Sequence, residues 1–520
     1  MSEAEAGSGR VAGGASRPVG LGALSAEQRA VRDARERRIV HLGLGAFHRS
    51  HQAWFTQHVA EGSGGSGSSS GSASGSAPWG IVAFTGRRPD QADLLSRQDA
   101  VYTLLTRAAD GATAELVDAI VEAHDGADAP RWRAALADPQ TAVVTLTVTE
   151  AAYHRAPDGR IDLDDPDVAA DAELLRRGAP EACTTAPGRL VDGLRARRDR
   201  GSGPVAVVCC DNLTDNGRMT RDMVLSLADE VDAGLGAWIL REVSFVASMV
   251  DRITPATTDG DRADALALTG LDDPAVVVAE PFAEWVLSGR FPAGRPAWET
   301  AGARFVDDLE PYEQRKLWLL NAGHSLLAYL GLHLGHQTVD EAVGDPRCVE
   351  PLEQLWDEAA AELPLPADEI AAARAALGER FGNPRIRHRL QQIASDGSVK
   401  LPIRVVDPLR RRLARADGAR AGAGGVAGSG IGPGAATLLA AWWLHVTGDP
   451  SLVADPRSGD FSADLGARDI LRLVAPDLAG DDRLVTAVEE ARARILRLSP
   501  ADPATSSPSA SSPLDTGVPA

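Results

Sequence analysis

Residues 38–48 read Arg38-Ile39-Val40-His41-Leu42-Gly43-Leu44-Gly45-Ala46-Phe47-His48. The apolar, partly β-branched run 38–45 predicts a buried strand, and its last residues include two glycines. Glycines there let a tight turn bring backbone amides and a helix N-terminus against a pyrophosphate. A lone Gly-x-Gly is a weak signal, because many tight turns use it; the pattern of elements after it gives it meaning. Three more apolar runs, 79–84, 141–150 and 204–212, are separated by helical patterns, the signature of a parallel sheet with crossover helices. After about residue 305 the strand signal stops and amphipathic helices take over, the clearest spanning 311–335. The fold class is therefore α/β, a Rossmann-like dinucleotide-binding domain followed by a mostly α-helical C-terminal domain.

The chain has 520 residues, enough for two or three domains. Residues 1–36 read as a flexible leader, 37–305 as the Rossmann-like domain, 306–499 as the helical domain and 500–520 as a disordered tail. A Gly/Ser-rich insertion at 62–78 and a glycine-rich loop at 418–434 interrupt the two domains. Fifty-three Lys and Arg against seventy-three Asp and Glu give a net charge of −20, which argues against nucleic acid and anionic membranes as partners. No long apolar run or signal core appears, so a cytoplasmic protein is expected. The four cysteines match neither a zinc pattern nor a disulfide framework.

The basic residues are unevenly chosen. Only Lys316 and Lys400 are lysines, the others being arginines, and asparagine is confined to Asn212, Asn216, Asn321 and Asn383. A composition that replaces Lys and Asn wherever chemistry permits draws attention to the places where they remain. Lys316, Asn321 and His324 fall on one predicted helix, where steps of five and three residues confine them to roughly 140° of the circumference. Arginine stays charged, whereas a buried lysine shifts its pKa and serves as a general base near neutrality. Asn321 and His324 can donate to a substrate oxygen on which charge develops.

Other constellations are less decisive. Asn212 and Asn216 follow an apolar strand, where an open sheet faces its ligand crevice, although Asp and Asn also simply make turns there. Asp251 and Arg252 precede a Thr-Pro turn, and a structural ion pair accounts for them equally well. His48 and His51 lack a third ligand, so no metal is expected. Beyond the second strand come Arg87 and Arg88 ahead of Asp90; arginines there accommodate a 2′-phosphate, and the cofactor type, NAD or NADP, stays open.

Together these motifs resemble the mannitol dehydrogenase family of long-chain polyol and sugar-acid dehydrogenases. The matching stretches run from Gly43-Leu44-Gly45-Ala46-Phe47-His48-Arg49 through Thr147-Val148-Thr149-Glu150 and Cys210-Asp211-Asn212 to Ser248-Met249-Val250-Asp251-Arg252. They continue in Glu280-Pro281-Phe282 and Lys316…Asn321…His324. The resemblance implies Lys316 as general base, Asn212 and Asn321 as an oxyanion-type clamp, and His324 and Asp251 in the pocket. It further implies Gly43, Gly45, Phe47, Thr149 and Glu150 on an NAD cofactor, with NADP possible, and hydride transfer at a CH–OH group without a metal.

Within the family, residues 380–404 resemble the sugar-acid branch, the fructuronate reductases. His388 stands where polyol members tend to carry Asp, and Gln392 where they carry Arg. Arg387, His388 and Lys400 are the expected substrate contacts, because basic side chains suit a carboxylate. The expected partner is a sugar acid or polyol, with a monomer or small homo-oligomer as the assembly. Interconversion of hexitols and ketoses, or of their phosphates, is the alternative, and an inactive dinucleotide-binding regulator is the alternative of another class.

Overall fold

The computed structural model describes residues 17–59, 78–156, 159–179, 181–423, 430–449, 451 and 453–498. The first sixteen residues of the expected leader, all but the last residue of the 62–78 insertion, residues 424–429 of the glycine loop and the 500–520 tail lie outside them. The chain divides into two compact units, Met1–Tyr312 and Glu313–Ala520.

The first unit is built on eight strands: β1 (Arg37–Leu42), β2 (Trp79–Phe84), β3 (Ile120–His124), β4 (Thr141–Leu146), β5 (Val205–Cys209), β6 (Val243–Asp251), β7 (Glu284–Ser288) and β8 (Arg304–Phe305). Their order across the sheet is β8-β7-β6-β5-β4-β1-β2-β3. From β3 to β6 every pairing is parallel, and β7 then runs antiparallel to β6. This 3-2-1-4-5-6 order is that of a doubly wound dinucleotide-binding sheet, with its switch point between β1 and β4. Alternation along the strands feeds two cores. Ile39, Val143 and Val208 enter one layer, whereas Val40, Val144 and Val207 enter the other. Both faces are covered, so β4 and β5 are buried throughout and read as continuous apolar runs.

Three expected strands end earlier than their apolar runs. The runs at 38–45, 141–150 and 204–212 become strands that stop at Leu42, Leu146 and Cys209. Gly43 explains the first stop: its φ is +107°, and a Cβ there would lie 1.9 Å from the Thr147 carbonyl oxygen. No residue with a side chain continues the strand through that point.

Residues 17–36, expected to belong to the leader, fold onto the first unit. Helix α1 (Ala26–Asp33) carries a capping box from Ser25 and Gln28. Val19 and Leu24 pack with Val101 and Leu271, and the buried Arg35 guanidinium pairs with Asp118 at 2.8 Å. Arginine-rich sequence concealed this, because buried guanidiniums satisfied by carbonyls and a carboxylate do not show as apolar periodicity.

The second unit is helical. Helices α6 (Ala322–His333) and α9 (Pro433–Gly448) are apolar on nearly all sides and form its centre. Around them pack α7 (Pro346–Ala360) and α10 (Asp482–Ile495). The spacing over 311–335 predicts one regular helix. The chain instead makes a π-helical turn over Lys316–Asn321 before α6 begins, and a second π-turn over Pro402–Val406. Among the described residues no helix is long and apolar enough to cross a membrane.

Candidate active site

In the first unit a cavity of about 460 Å³ opens beside the carboxyl ends of β1, β2 and β4. Leu42, Gly86, Arg87, Val148 and Ala152 line it together with residues from α3 (Pro166–Arg177), α4 (Ala186–Arg200) and the loop between them. Its position at the switch point and its size are those of a ligand crevice. The walls are held by polar groups already engaged with one another. Arg189 donates to the carbonyls of Thr85 at 3.1 Å and Gly86 at 2.9 Å, fixing the turn after β2. The hydroxyl of Thr185 donates to Asp171 at 2.7 Å, and the Thr184 amide donates to the same carboxylate.

The glycine turn comes directly after β1. Gly43 and Leu44 donate their amides to the Phe84 carbonyl, both at 2.9 Å, and the Thr147 hydroxyl donates to the Gly43 carbonyl at 2.9 Å. The closeness of Gly43 to Thr147 is the steric reason for glycine; at Gly45 a Cβ would meet only the Gly43 carbonyl oxygen, at 3.6 Å. Gly45 caps a short helix, α2 (Ala46–Ser50), on which Phe47 stacks against His51 at 5.0 Å. His48 and His51 diverge. His48 stacks on His41 with ring centroids 3.3 Å apart, while Nε2 of His51 lies 2.9 Å from the Glu284 carbonyl. Thr149 and Glu150 lie exposed beyond β4, flanked by the cavity-lining Val148 and Ala152.

Asp211 is the most perturbed acid of this region. It accepts from the Val148 amide at 2.6 Å and from the Tyr153 hydroxyl, tying the loop after β4 to the end of β5. Burial raises its pKa to about 6 against these hydrogen bonds. The two retained asparagines beyond it have separate fates. Asn216 is fully buried at the start of α5 (Asn216–Val231) and bridges the Asp211 and Ser248 carbonyls, at 2.9 and 2.7 Å, while accepting from the Ser248 amide at 3.0 Å. Asn212 is exposed. Asp251 is the half-buried last residue of β6, and Arg252 turns its guanidinium to the Glu280 and Ser50 carbonyls over the Trp54 ring.

In the second unit the π-turn alters the expected geometry. Lys316 opens the turn and Asn321 closes it. An i→i+5 turn brings residues five apart nearly over one another, whereas an α-helix separates them widely. Widening a helix by one residue also frees backbone carbonyls, which need other donors. Trp356 Nε1 donates to the Leu319 carbonyl at 2.9 Å, and Arg404 Nη1 donates to the Asn321 carbonyl at 3.2 Å and to the Ser325 hydroxyl at 2.8 Å. Arg404 itself sits in the second π-turn, and burial lowers its pKa to about 10.

One turn further along, His324 is 7% exposed and its Nε2 has no hydrogen-bond partner among the described residues. Its ring meets Phe381, at the end of α8 (Ala367–Phe381), at 4.7 Å and His388 at 5.0 Å, edge to face. Burial, and then the charges of His388, Arg380 and Arg404, push its pKa well below the ordinary imidazole value. His388 is shifted the same way by burial and Arg380, and its Nδ1 is likewise buried without a partner among the described residues. Both imidazoles are thus neutral near pH 7, each with an open nitrogen, beside two permanent guanidinium charges.

The expected substrate contacts Arg387, His388 and Lys400 differ in their surroundings. His388 joins His324. Arg387 is exposed, in left-handed backbone with φ +47°. The Lys400 ammonium donates to the Ser395 carbonyl at 2.8 Å and lies 3.4 Å from the Asp396 carboxylate. After burial, the charges that act on His324 are those of His388, Arg380 and Arg404. The sequence places these two arginines at the ends of the basic segment 380–404 without singling them out from its other basic residues.

Comparison with known proteins gives a consistent result. The mannitol dehydrogenase Rossmann domain family matches residues 37–300, and the mannitol dehydrogenase C-terminal domain family matches residues 308–428. D-mannonate oxidoreductase of Escherichia coli (strain K12) is 39% identical over 76% of this chain and 79% of that protein. Mannitol 2-dehydrogenase of Cereibacter sphaeroides is 35% identical over 82% and 84%. The structure of Pseudomonas fluorescens mannitol 2-dehydrogenase, a ternary complex with NAD and D-mannitol, superposes with a TM-score of 0.71 at 31% identity, covering 92% of this chain and 94% of that one.

Proposed function

The chain belongs to the mannitol dehydrogenase family, and from that premise we propose that it interconverts D-fructuronate and D-mannonate by NAD-linked hydride transfer. As a family member it is an oxidoreductase acting on CH–OH groups. The glycine turn and the crevice at the switch point of the sheet fit a dinucleotide, with Gly43 and Gly45 at the pyrophosphate end and the turn after β2 at the adenosine end. Bound there, NAD supplies the hydride acceptor and donor.

The rest falls to the chain. Lys316 takes or returns the hydroxyl proton, and Asn321 and His324 donate to the substrate oxygen. His324, held neutral by burial and by its basic neighbours, offers a ring N–H without bringing a second proton to be lost.

The observation that carries the choice of a sugar acid is the surroundings of His324. The groups whose charges lower its pKa, His388, Arg380 and Arg404, are all basic or protonatable to a cation. Such a cluster gains by receiving an anion, and guanidiniums match carboxylates in shape as well as charge. The relationship to D-mannonate oxidoreductase supports the same reading. The test is NADH oxidation with D-fructuronate, D-fructose and D-fructose 6-phosphate in parallel. Turnover of the uronate in clear preference is expected. Turnover with fructose alone sends the chain to the polyol branch, and none with any of the three leaves it a dinucleotide-binding regulator.

A further inference from the structure

Of the side chains that line the cavity in the first unit, most are spoken for. Arg189 holds the Thr85 and Gly86 carbonyls, and Thr184 and Thr185 face Asp171. Nδ1 of His154 lies 3.0 Å from the Asp165 carboxylate. Arg87 is different. It stands on the turn after β2, lines the cavity, is exposed, and has no ion pair or hydrogen bond among the described residues. In a doubly wound sheet this turn is where the adenosine ribose is read: an acid there binds the free 2′-hydroxyl, and an arginine accommodates a 2′-phosphate.

No acid competes for the role at this turn among the described residues. Asp125 accepts from the Ala127 amide at 3.0 Å and from the Thr85 hydroxyl at 3.4 Å. Asp90 opens the next helix and pairs with Arg88 at 3.3 Å, both side chains being largely exposed. The acid in the cavity wall, Asp167, belongs to the first turn of α3, in one group with His154 and Asp165, and not to the β2 turn. The backbone carrying Arg87 is also fixed, since Arg189 holds the two preceding carbonyls. A free guanidinium on a rigid turn loses little backbone entropy on meeting a phosphate.

We propose that Arg87 makes a 2′-phosphate subsite, so that the crevice takes the 2′-phosphorylated dinucleotide, NADP(H), at least as well as NAD(H). The proposal rests on the placement of the adenosine end in this cavity and is independent of which sugar is reduced. Of the two arginines weighed in the sequence, the structure selects one, because Arg88 is engaged by Asp90 and does not line the cavity.

The test uses the full-length protein and two measurements. By calorimetry, adenosine 2′,5′-bisphosphate is expected to bind roughly tenfold or more tightly than adenosine 5′-monophosphate, and Arg87→Asp to reverse that order. With a single sugar substrate, kcat/KM for NADPH is expected to equal or exceed that for NADH, and the NADPH-to-NADH ratio to fall roughly tenfold or more in Arg87→Asp. Tighter binding of the monophosphate, or an Arg87→Asp protein with unchanged discrimination, overturns the proposal. So does failure of both nucleotides to bind. Tight binding of the bisphosphate without turnover of any sugar leaves the subsite standing and removes the uronate reading, so the two fail separately.

Discussion

The polar residues around the two halves of this chemistry are used in contrasting ways. In the first unit, Arg189, Asn216, Asp211 and Thr185 are buried and bonded to backbone or to one another, and they hold loops in place. In the second, His324 Nε2, His388 Nδ1 and Arg404 Nε are buried without a partner among the described residues. The first unit also has buried polar atoms without a partner among the described residues, including both nitrogens of His48, Gln52 Oε1, Trp79 Nε1 and Trp285 Nε1, but none of these residues lines the crevice. Unpaired buried polar atoms are costly, so a native cluster of them calls for a function. On the proposed reading, the first unit is a finished scaffold around a crevice, and the cluster about His324 in the second is completed by a ligand.

The strongest way to break that contrast is Lys316→Ala. If the second unit holds the chemistry and the first only the dinucleotide, kcat falls by about 10²–10⁴ while calorimetric NAD binding stays at the wild-type value. Comparable loss of NAD affinity would mean that Lys316 is part of the framework.

Gly43→Ala attacks the scaffold side. The new Cβ would meet the Thr147 carbonyl oxygen at 1.9 Å in backbone of φ +107°, so a loss on the order of 3 kcal/mol in unfolding free energy and a weakened NAD affinity are expected. Gly45→Ala, with its nearest atom at 3.6 Å, is expected to leave stability almost unchanged. Equal stabilities for the two variants would contradict the steric account.

Asp211 sharpens the comparison through pH. Its folded pKa of about 6 lies above the ordinary 3.8, so the native state holds this proton more tightly than the unfolded chain does. That contribution is complete below about pH 4 and is lost as pH rises through 6, about 3 kcal/mol in all for a shift of this size. Asparagine does not titrate. The thermal stability of the wild type relative to Asp211→Asn is therefore expected to decline between pH 4 and 7, and a constant difference across that range would refute the assignment.

Much of the fold was legible because the strands of a doubly wound sheet are continuous apolar runs, and their order follows from the alternation with helices. Their ends were not legible. Leu44, Val148 and Cys210 are as apolar as strand residues, and only the backbone at Gly43 and the bonds to Asp211 show that they belong to turns. Lys316 and Asn321 stand out through the scarcity of lysine and asparagine, and His324 through its spacing from them on one helix; the same scarcity marks Lys400 and Asn216, whose side chains are engaged by their surroundings. Lys400 pins Ser395 and Asp396, and Asn216 stitches two strand ends together. The π-turn was invisible because apolar periodicity reports burial, and Trp318, Leu319 and Leu320 are buried in either helix type. Arg380 and Arg404 belong to the basic segment 380–404, where nothing in the sequence separates them from its other arginines.

The claim that the basic surroundings of His324 select a carboxylate is tested most directly by the ratio of kcat/KM for D-fructuronate to that for D-fructose, in the wild type and in Arg380→Gln. The account predicts that the ratio falls roughly tenfold or more on losing the guanidinium, with the fructose value maintained. An unchanged ratio, with both substrates affected alike, would contradict it.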